Sequence, residues 1–153
     1  MAVDPVSDNI FVGDVGDRSW EEIDVIPFGY GGSNFGWPCV EGPEVLFTDG
    51  DCNKTFDPPI HYYSVGCSVV VGEYFRFAGD LSQKGSLIFT DGCLRQIQAL
   101  SFTDGSWQAK PIGDLTNAPG GFLTTFGQDI NGTVYAGVLG EPAPLLELFI
   151  PPQ

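Results

Sequence analysis

A turn followed by an aromatic-aliphatic strand recurs three times along this chain, at residues 8–12, 85–89 and 131–135. That recurrence constrains the fold more than any other feature. A propeller blade takes roughly 40–50 residues, so the recurrences stand about two blades and about one blade apart. The tetrapeptide Phe-Thr-Asp-Gly also repeats, starting at Phe47, Phe89 and Phe102. Its first interval, 42 residues, suits a blade, and its second, 13 residues, suits only a hairpin. Asp-Gly is a favoured hairpin turn, so the tetrapeptide reads first as turn chemistry.

Strands are expected at residues 9–13, 22–26, 68–77, 86–89, 95–100, 132–136 and 145–149. Residues 86–89 and 95–100 form a hairpin across Asp91-Gly92. Residues 22–26 alternate acidic and apolar side chains, as a strand with one wet face does. No window carries an apolar stripe at helical spacing bounded by caps. The 21 glycines and 12 prolines fall between the apolar runs, where they act as turns. The expectation is an all-β chain of antiparallel sheets, one partial β-propeller domain over residues 1–153 with about three blades. Three blades cannot close a ring. The open blade edges would carry unpaired backbone groups, which predicts another protein chain, self-association or a longer polypeptide to cover them.

Charge narrows the partners. Twenty acids against 6 bases give a formal net charge of −14. Such a surface repels phosphate backbones and anionic lipid, so nucleic acid and membrane docking are disfavoured. No apolar run reaches the roughly 18 residues a spanning helix needs. The opening Met1-Ala2-Val3-Asp4-Pro5 lacks a basic region followed by an apolar stretch. The chain is therefore mature, trimmed or cut from a longer gene product, and the last is expected because it opens almost directly into a strand.

Four motifs carry a resemblance. The first runs from Gly13-Asp14-Val15-Gly16 through Trp20-Glu21-Glu22-Ile23 to Asn34-Phe35-Gly36-Trp37-Pro38 and Glu41-Gly42. The second is Pro58-Pro59-Ile60, then Gly66-Cys67-Ser68-Val69 and Gly72-Glu73-Tyr74-Phe75-Arg76. The third is Phe89-Thr90-Asp91-Gly92-Cys93-Leu94-Arg95-Gln96-Ile97. The fourth is Phe126-Gly127-Gln128-Asp129, followed by Gly132-Thr133-Val134-Tyr135. In this order they resemble the C-terminal half of the glucose/sorbosone dehydrogenase family, six-bladed β-propellers. The similarity is greatest to the secreted, hedgehog-interacting-protein-like branch.

The resemblance implies sugar oxidation by pyrroloquinoline quinone with calcium, using a histidine base and an Arg-Asn pair. Those residues would lie upstream of this chain. Where quinone-binding members carry Lys or Arg near the last blades, this chain has Thr90, Asp91 and Gly92, then Leu123, Thr124 and Thr125. His61 matches no base position and reads as a loop histidine; Arg95 reads as hairpin support. The expectation is therefore a propeller segment that holds no cofactor alone, is not catalytic alone, and serves binding or assembly. One alternative is part of a quinone-dependent sugar dehydrogenase completed by another segment. The other is a glycan-binding module using Tyr62, Tyr63 and Trp107. Trp20 and Trp37 read as filler between blades.

The four cysteines, Cys39, Cys52, Cys67 and Cys93, show no C-x-x-C spacing and allow three pairings. Cys39–Cys52 would close a short polar loop, and Cys67–Cys93 would tie the strand at residue 68 to the Asp91-Gly92 turn. The resemblance implies the same pairing. Disulfides point to an oxidising compartment, hence to secretion. Two sequons fit that setting, Asn53-Lys54-Thr55 and Asn131-Gly132-Thr133, with Asn53 favoured by its polar loop. Asp49-Gly50-Asp51-Cys52-Asn53 opens like a calcium loop, but Lys54 and Ile60 stand where the pattern needs Gly and Glu, so a solvated acidic loop is expected.

Overall fold

The structure, a computed structural model, describes residues 1–75, 85–115 and 121–148. These form antiparallel sheets with no α-helix among the described residues. Blade I holds β1 (Ala2–Val3), β2 (Ile10–Asp14), β3 (Glu21–Ile26) and β6 (His61–Tyr63), in that spatial order. The excursion between β3 and β6 carries a small hairpin, β4 (Val40–Glu41) and β5 (Glu44–Val45), and a short 3-10 turn at Gly50–Cys52. Blade II is a four-strand meander of β7 (Val69–Phe75), β8 (Ser86–Asp91), β9 (Gln96–Thr103) and β10 (Ser106–Asp114). Blade III holds β11 (Phe122–Gln128), β12 (Val134–Leu139) and β13 (Leu145–Leu148).

The recurrence now has a structural meaning. Its three copies supply β2, β8 and β12, the second strand of each blade. The repeated tetrapeptide, by contrast, does three different things. At Phe102 it makes a two-residue hairpin turn between β9 and β10, with Asp104 and Gly105 at φ 52° and 81°, the left-handed pair such a turn requires. At Phe89 it stays in β8 through Asp91, and the turn follows, ending on Arg95 at φ 56°. At Phe47 it leads into the 3-10 turn.

The blades pack face to face. Leu87 and Phe89 of β8, with Val69 and Leu100, meet Phe11 and Ile23 of blade I. Ile88, on the opposite face of β8, joins Ile97 of β9 and, across the interface, Val134 of blade III. Blade II is covered on both sides, which explains the unbroken apolar run Leu87-Ile88-Phe89. Each of these side chains contributes about 1.5–3 kcal/mol by burial. Rings extend the contact: Phe11 stacks on Tyr74 at 4.9 Å, and His61 meets Phe89 edge-on at 5.5 Å. The Val69 N–H donates to Glu21 Oε2 at 2.9 Å, bonding blade II to blade I.

The strands not foreseen, β1, β4, β5, β6, β10 and β11, have plain causes, and β4 and β5 are two residues each. β1 and β6 are two and three residues long. β10 contains Lys110 and Pro111, tolerable because it lies outermost in its blade and slips register between Pro111 and Gly113. Thr124, Thr125 and Gly127 dilute the pattern of β11. The tails of two expected strands, Arg76 and Phe77, and Phe149, lie outside the described residues.

Among the described residues, blade III leaves one face open. Val134, Ala136 and Val138 are buried against the core, while Phe122, Leu139 and Leu145 are 54%, 63% and 70% exposed. Phe122 pairs with Leu139 and Leu145 with Gly137, so the three exposed side chains share one face.

Candidate functional site

Three carboxylates share the outer face of blade I. In the β2–β3 ladder Asp14 stands opposite Glu22, and Val12 opposite Asp24. Cross-strand partners, and residues two apart on a strand, project to the same side. Asp14, Glu22 and Asp24 therefore point away from Phe11 and Ile23, and an oxygen of each lies within 4.8 Å of the others.

The expected wet face is covered instead. The excursion from β3 lies over it: the Gly42 N–H donates to Glu22 Oε1, and Trp37, Val40 and Glu41 line, together with Asp14 and Glu22, an open cavity of about 320 Å³. Asp24 is 0% exposed, and neither carboxylate oxygen has a hydrogen-bond partner. Desolvation, then repulsion from Glu22, Asp14 and Asp57, pushes its pKa up to about 7. Burial also raises Asp14, and raises Glu22 against the opposing Gly42 N–H.

Glu41, also buried, fastens the excursion. Its Oε1 accepts the backbone N–H groups of Arg18, Ser19 and Trp20 at 2.9, 3.1 and 3.3 Å. Burial pushes this carboxyl up, but the donors outweigh it and hold it below the usual range. The Gly16 to Trp20 turn bends so closely that a Cβ on Gly16 would strike the Trp20 carbonyl and Glu41.

Asp91 is the second anchor and is 2% exposed. Its Oδ1 accepts from the Cys93 and Leu94 N–H groups at 2.8 and 3.3 Å. Its Oδ2 accepts from the Cys67 and Ser68 N–H groups at 3.0 and 3.1 Å, and from the Tyr63 hydroxyl at 3.2 Å. Gly66, at φ 146°, passes so near that any side chain there would collide with this carboxylate. Burial, then the Asp91 charge, raises the Tyr63 phenol.

The cysteines are joined as Cys39–Cys52 and Cys67–Cys93, with Cα separations of 5.3 and 5.8 Å. Asn53 and Asn131 are both exposed; Asn131 sits in a tight turn with its N–H donated to Asp129 Oδ1. His61 lies in β6 rather than in a loop, half-buried, and burial lowers its pKa. Arg95 occupies the β8–β9 turn. Trp20 is half-buried against Tyr62, whereas Trp37 is 58% exposed and fills no gap between the described blades. Tyr63 and Trp107 pack on the core between blades I and II, leaving only Tyr62 of that trio exposed. The Asp49 to Asn53 segment makes a surface pair, Asp51 with Lys54 at 2.9 Å.

The carboxylate cluster was not foreseen as a site. Its only sequence signal is the acidic alternation of Glu22 and Asp24 beside Asp14, and nothing local indicates that a later loop buries it.

A tricarboxylate quinone does not fit here. The cavity contributes Asp14, Asp17, Glu22 and Glu41, and the neighbouring cleft has one cation, Arg18, whose side chain is 81% exposed. Excluding such an anion from water without cations is costly.

No family model matches this chain. The HIPL2 protein of Arabidopsis thaliana is 25% identical over 162 residues, covering 84% of this chain and 23% of that relative. A solved glucose dehydrogenase superposes with a TM-score of 0.70 at 17% identity, covering 98% of this chain and 43% of its own. A second glucose dehydrogenase structure gives 0.67 at 16% identity, covering 97% and 43%. The chain thus has the fold of part of a glucose dehydrogenase-like β-propeller, similar in sequence to HIPL2 protein and spanning less than half the length of each of these relatives.

Proposed function

We propose that this chain is an extracellular propeller segment that acts in binding or assembly, non-catalytic by itself, with another protein chain covering the open face of blade III. The carrying observation is the apolar trio Phe122, Leu139 and Leu145 on one side of that blade. In a complete propeller the neighbouring blade would cover such a face, as blade I covers one side of blade II. The two disulfides and the similarity to HIPL2 protein support an extracellular setting.

Light scattering coupled to gel filtration tests the assembly reading. The wild type is expected to run as a dimer or larger, and Leu139→Glu with Leu145→Glu is expected to return it to monomer mass. A dispersed, folded wild-type monomer at tens of micromolar would count against self-association; failure of complementary propeller blades to bind it as well would end the reading.

The glucose dehydrogenase fold supports a second reading, part of a sugar dehydrogenase completed by other blades. Mixing with the quinone and calcium, followed by a dye-linked aldose assay, separates the two. Turnover by this chain alone would overturn the non-catalytic reading.

A sugar chain on Asn53 is also expected, because that residue is exposed in the excursion. Expression through a eukaryotic secretory pathway should give a mass that falls by one glycan on enzymatic deglycosylation, and Asn53→Gln should abolish that fall. Loss of the fall through Asn131→Gln instead would place the glycan in the blade III turn.

A further inference from the structure

We infer that Cys67–Cys93 is a reversible redox site, opened and re-formed by thiol–disulfide exchange with an external dithiol while Cys39–Cys52 stays closed. This is independent of how the chain assembles. Exchange begins when a thiolate attacks one sulfur of a cystine, so access governs its rate, and exposed cystines are the labile ones. Cys67 and Cys93 are both exposed. Cys39, by contrast, is 5% exposed, and Cys52 is half-buried. Cys67 also forms part of the wall of an open cleft of about 170 Å³, beside Ser19, Ser64 and Gly66, which gives a thiol a path to that residue.

The surroundings let this bond open without loss of the fold. Asp91 holds both cysteine segments by their backbones. Its Oδ2 accepts from the Cys67 and Ser68 N–H groups at 3.0 and 3.1 Å, and its Oδ1 from those of Cys93 and Leu94 at 2.8 and 3.3 Å. The Gly92 N–H adds a bond to the Ser68 carbonyl at 2.9 Å. None of these bonds uses a sulfur, so the two cysteines stay side by side after reduction, and re-forming the cystine requires no new loop closure. The Cys39 and Cys52 N–H groups instead donate within their own turns, to the Gly36 and Asp49 carbonyls. The exchange balances as follows. A reagent thiolate bonds to Cys67 Sγ, the cystine S–S bond breaks, and Cys93 leaves as thiolate. The reagent's second thiolate then attacks its own sulfur in the mixed disulfide and releases Cys67 Sγ. Two electrons pass to the cystine, the reagent becomes a disulfide, and the two protons it gave up end on the freed sulfurs. Asp91 favours that last step, because a carboxylate oxygen within 4.8 Å of both sulfurs disfavours further negative charge there.

The experiment uses the whole chain, folded and with both cystines formed, in dithiothreitol at about pH 8, where reagent thiolate is present. Samples withdrawn over time are alkylated and the labelled cysteines located by peptide mass spectrometry. Far-ultraviolet circular dichroism is recorded in parallel. Cys67 and Cys93 should label together, at least about tenfold faster than Cys39 and Cys52. The dichroism should not change, and the labelling rate should be indifferent to urea below the unfolding transition. Replacing dithiothreitol with oxidised glutathione should then restore the cystine and abolish labelling. Labelling of Cys39 and Cys52 as fast as the other pair would overturn the inference. So would loss of the dichroism as Cys67–Cys93 opens, or a labelling rate that climbs with urea in step with global unfolding, because the cystine would then be reached only in the unfolded chain.

Discussion

Asp91→Ala should be the most damaging single substitution in the chain, lowering stability by about 3–5 kcal/mol. One carboxylate there receives backbone N–H groups from Cys67, Ser68, Cys93 and Leu94 and the hydroxyl of Tyr63. Alanine would leave these donors without the acceptor they now share, a carboxylate on a residue only 2% exposed. Each orphaned buried donor costs about 1–3 kcal/mol, though partial relaxation keeps the total below the sum. Asp91→Asn should fall between, because it keeps the shape and one acceptor oxygen but turns an amide NH₂ toward the other donors. Urea unfolding at pH 7 provides the measurement, with the midpoint moving and the m-value unchanged. A loss under about 1 kcal/mol for Asp91→Ala would show that these hydrogen bonds do not hold the turn.

Asp24→Asn should act in the opposite direction. At pH 8 it is expected to stabilise the chain by up to about 4 kcal/mol, the cost of ionising a carboxyl whose pKa rises from 3.8 to about 7 on folding. Between those two values the native state holds a proton that the unfolded state has lost. The stability that Asp24 allows is therefore fully present below pH 3.8 and is lost as pH rises through about 7. The gap between variant and wild type should close as pH falls across that window. Glu41 works with the contrary sign: its pKa is lowered on folding, so its contribution exists above the ordinary glutamate range and is lost as pH falls through the folded value. Wild type should accordingly be most stable in mild acid. Thermal melts of both proteins from pH 4 to 8 test this; parallel profiles would mean that Asp24 finds a partner throughout.

The two residues also mark where sequence reading succeeds and where it stops. Blade periodicity was legible because it is local: a turn and an apolar strand recur, and each copy became the second strand of a blade. The continuous Leu87-Ile88-Phe89 run likewise reports burial on two sides. The acidic alternation at residues 22–26 was equally visible, yet its meaning lay elsewhere. Whether Glu22 and Asp24 face water depends on a loop that returns through Trp37, Val40 and Glu41, and alternation is the same in either case. The repeated Phe-Thr-Asp-Gly shows the same boundary. Turn propensity describes it at Phe102, whereas the role of Asp91 comes from Tyr63 and Cys67, more than twenty residues upstream.

The placement of the two disulfides has an evolutionary corollary. Cys39–Cys52 lies within the blade I excursion, and Cys67–Cys93 joins the entry to blade II with that blade's own β8–β9 turn. Neither cross-link spans from one blade to the next, so a gene that gained, lost or exchanged a whole blade would never strand half a cystine. Such a layout lets the repeat number drift while each module keeps its own covalent clasp.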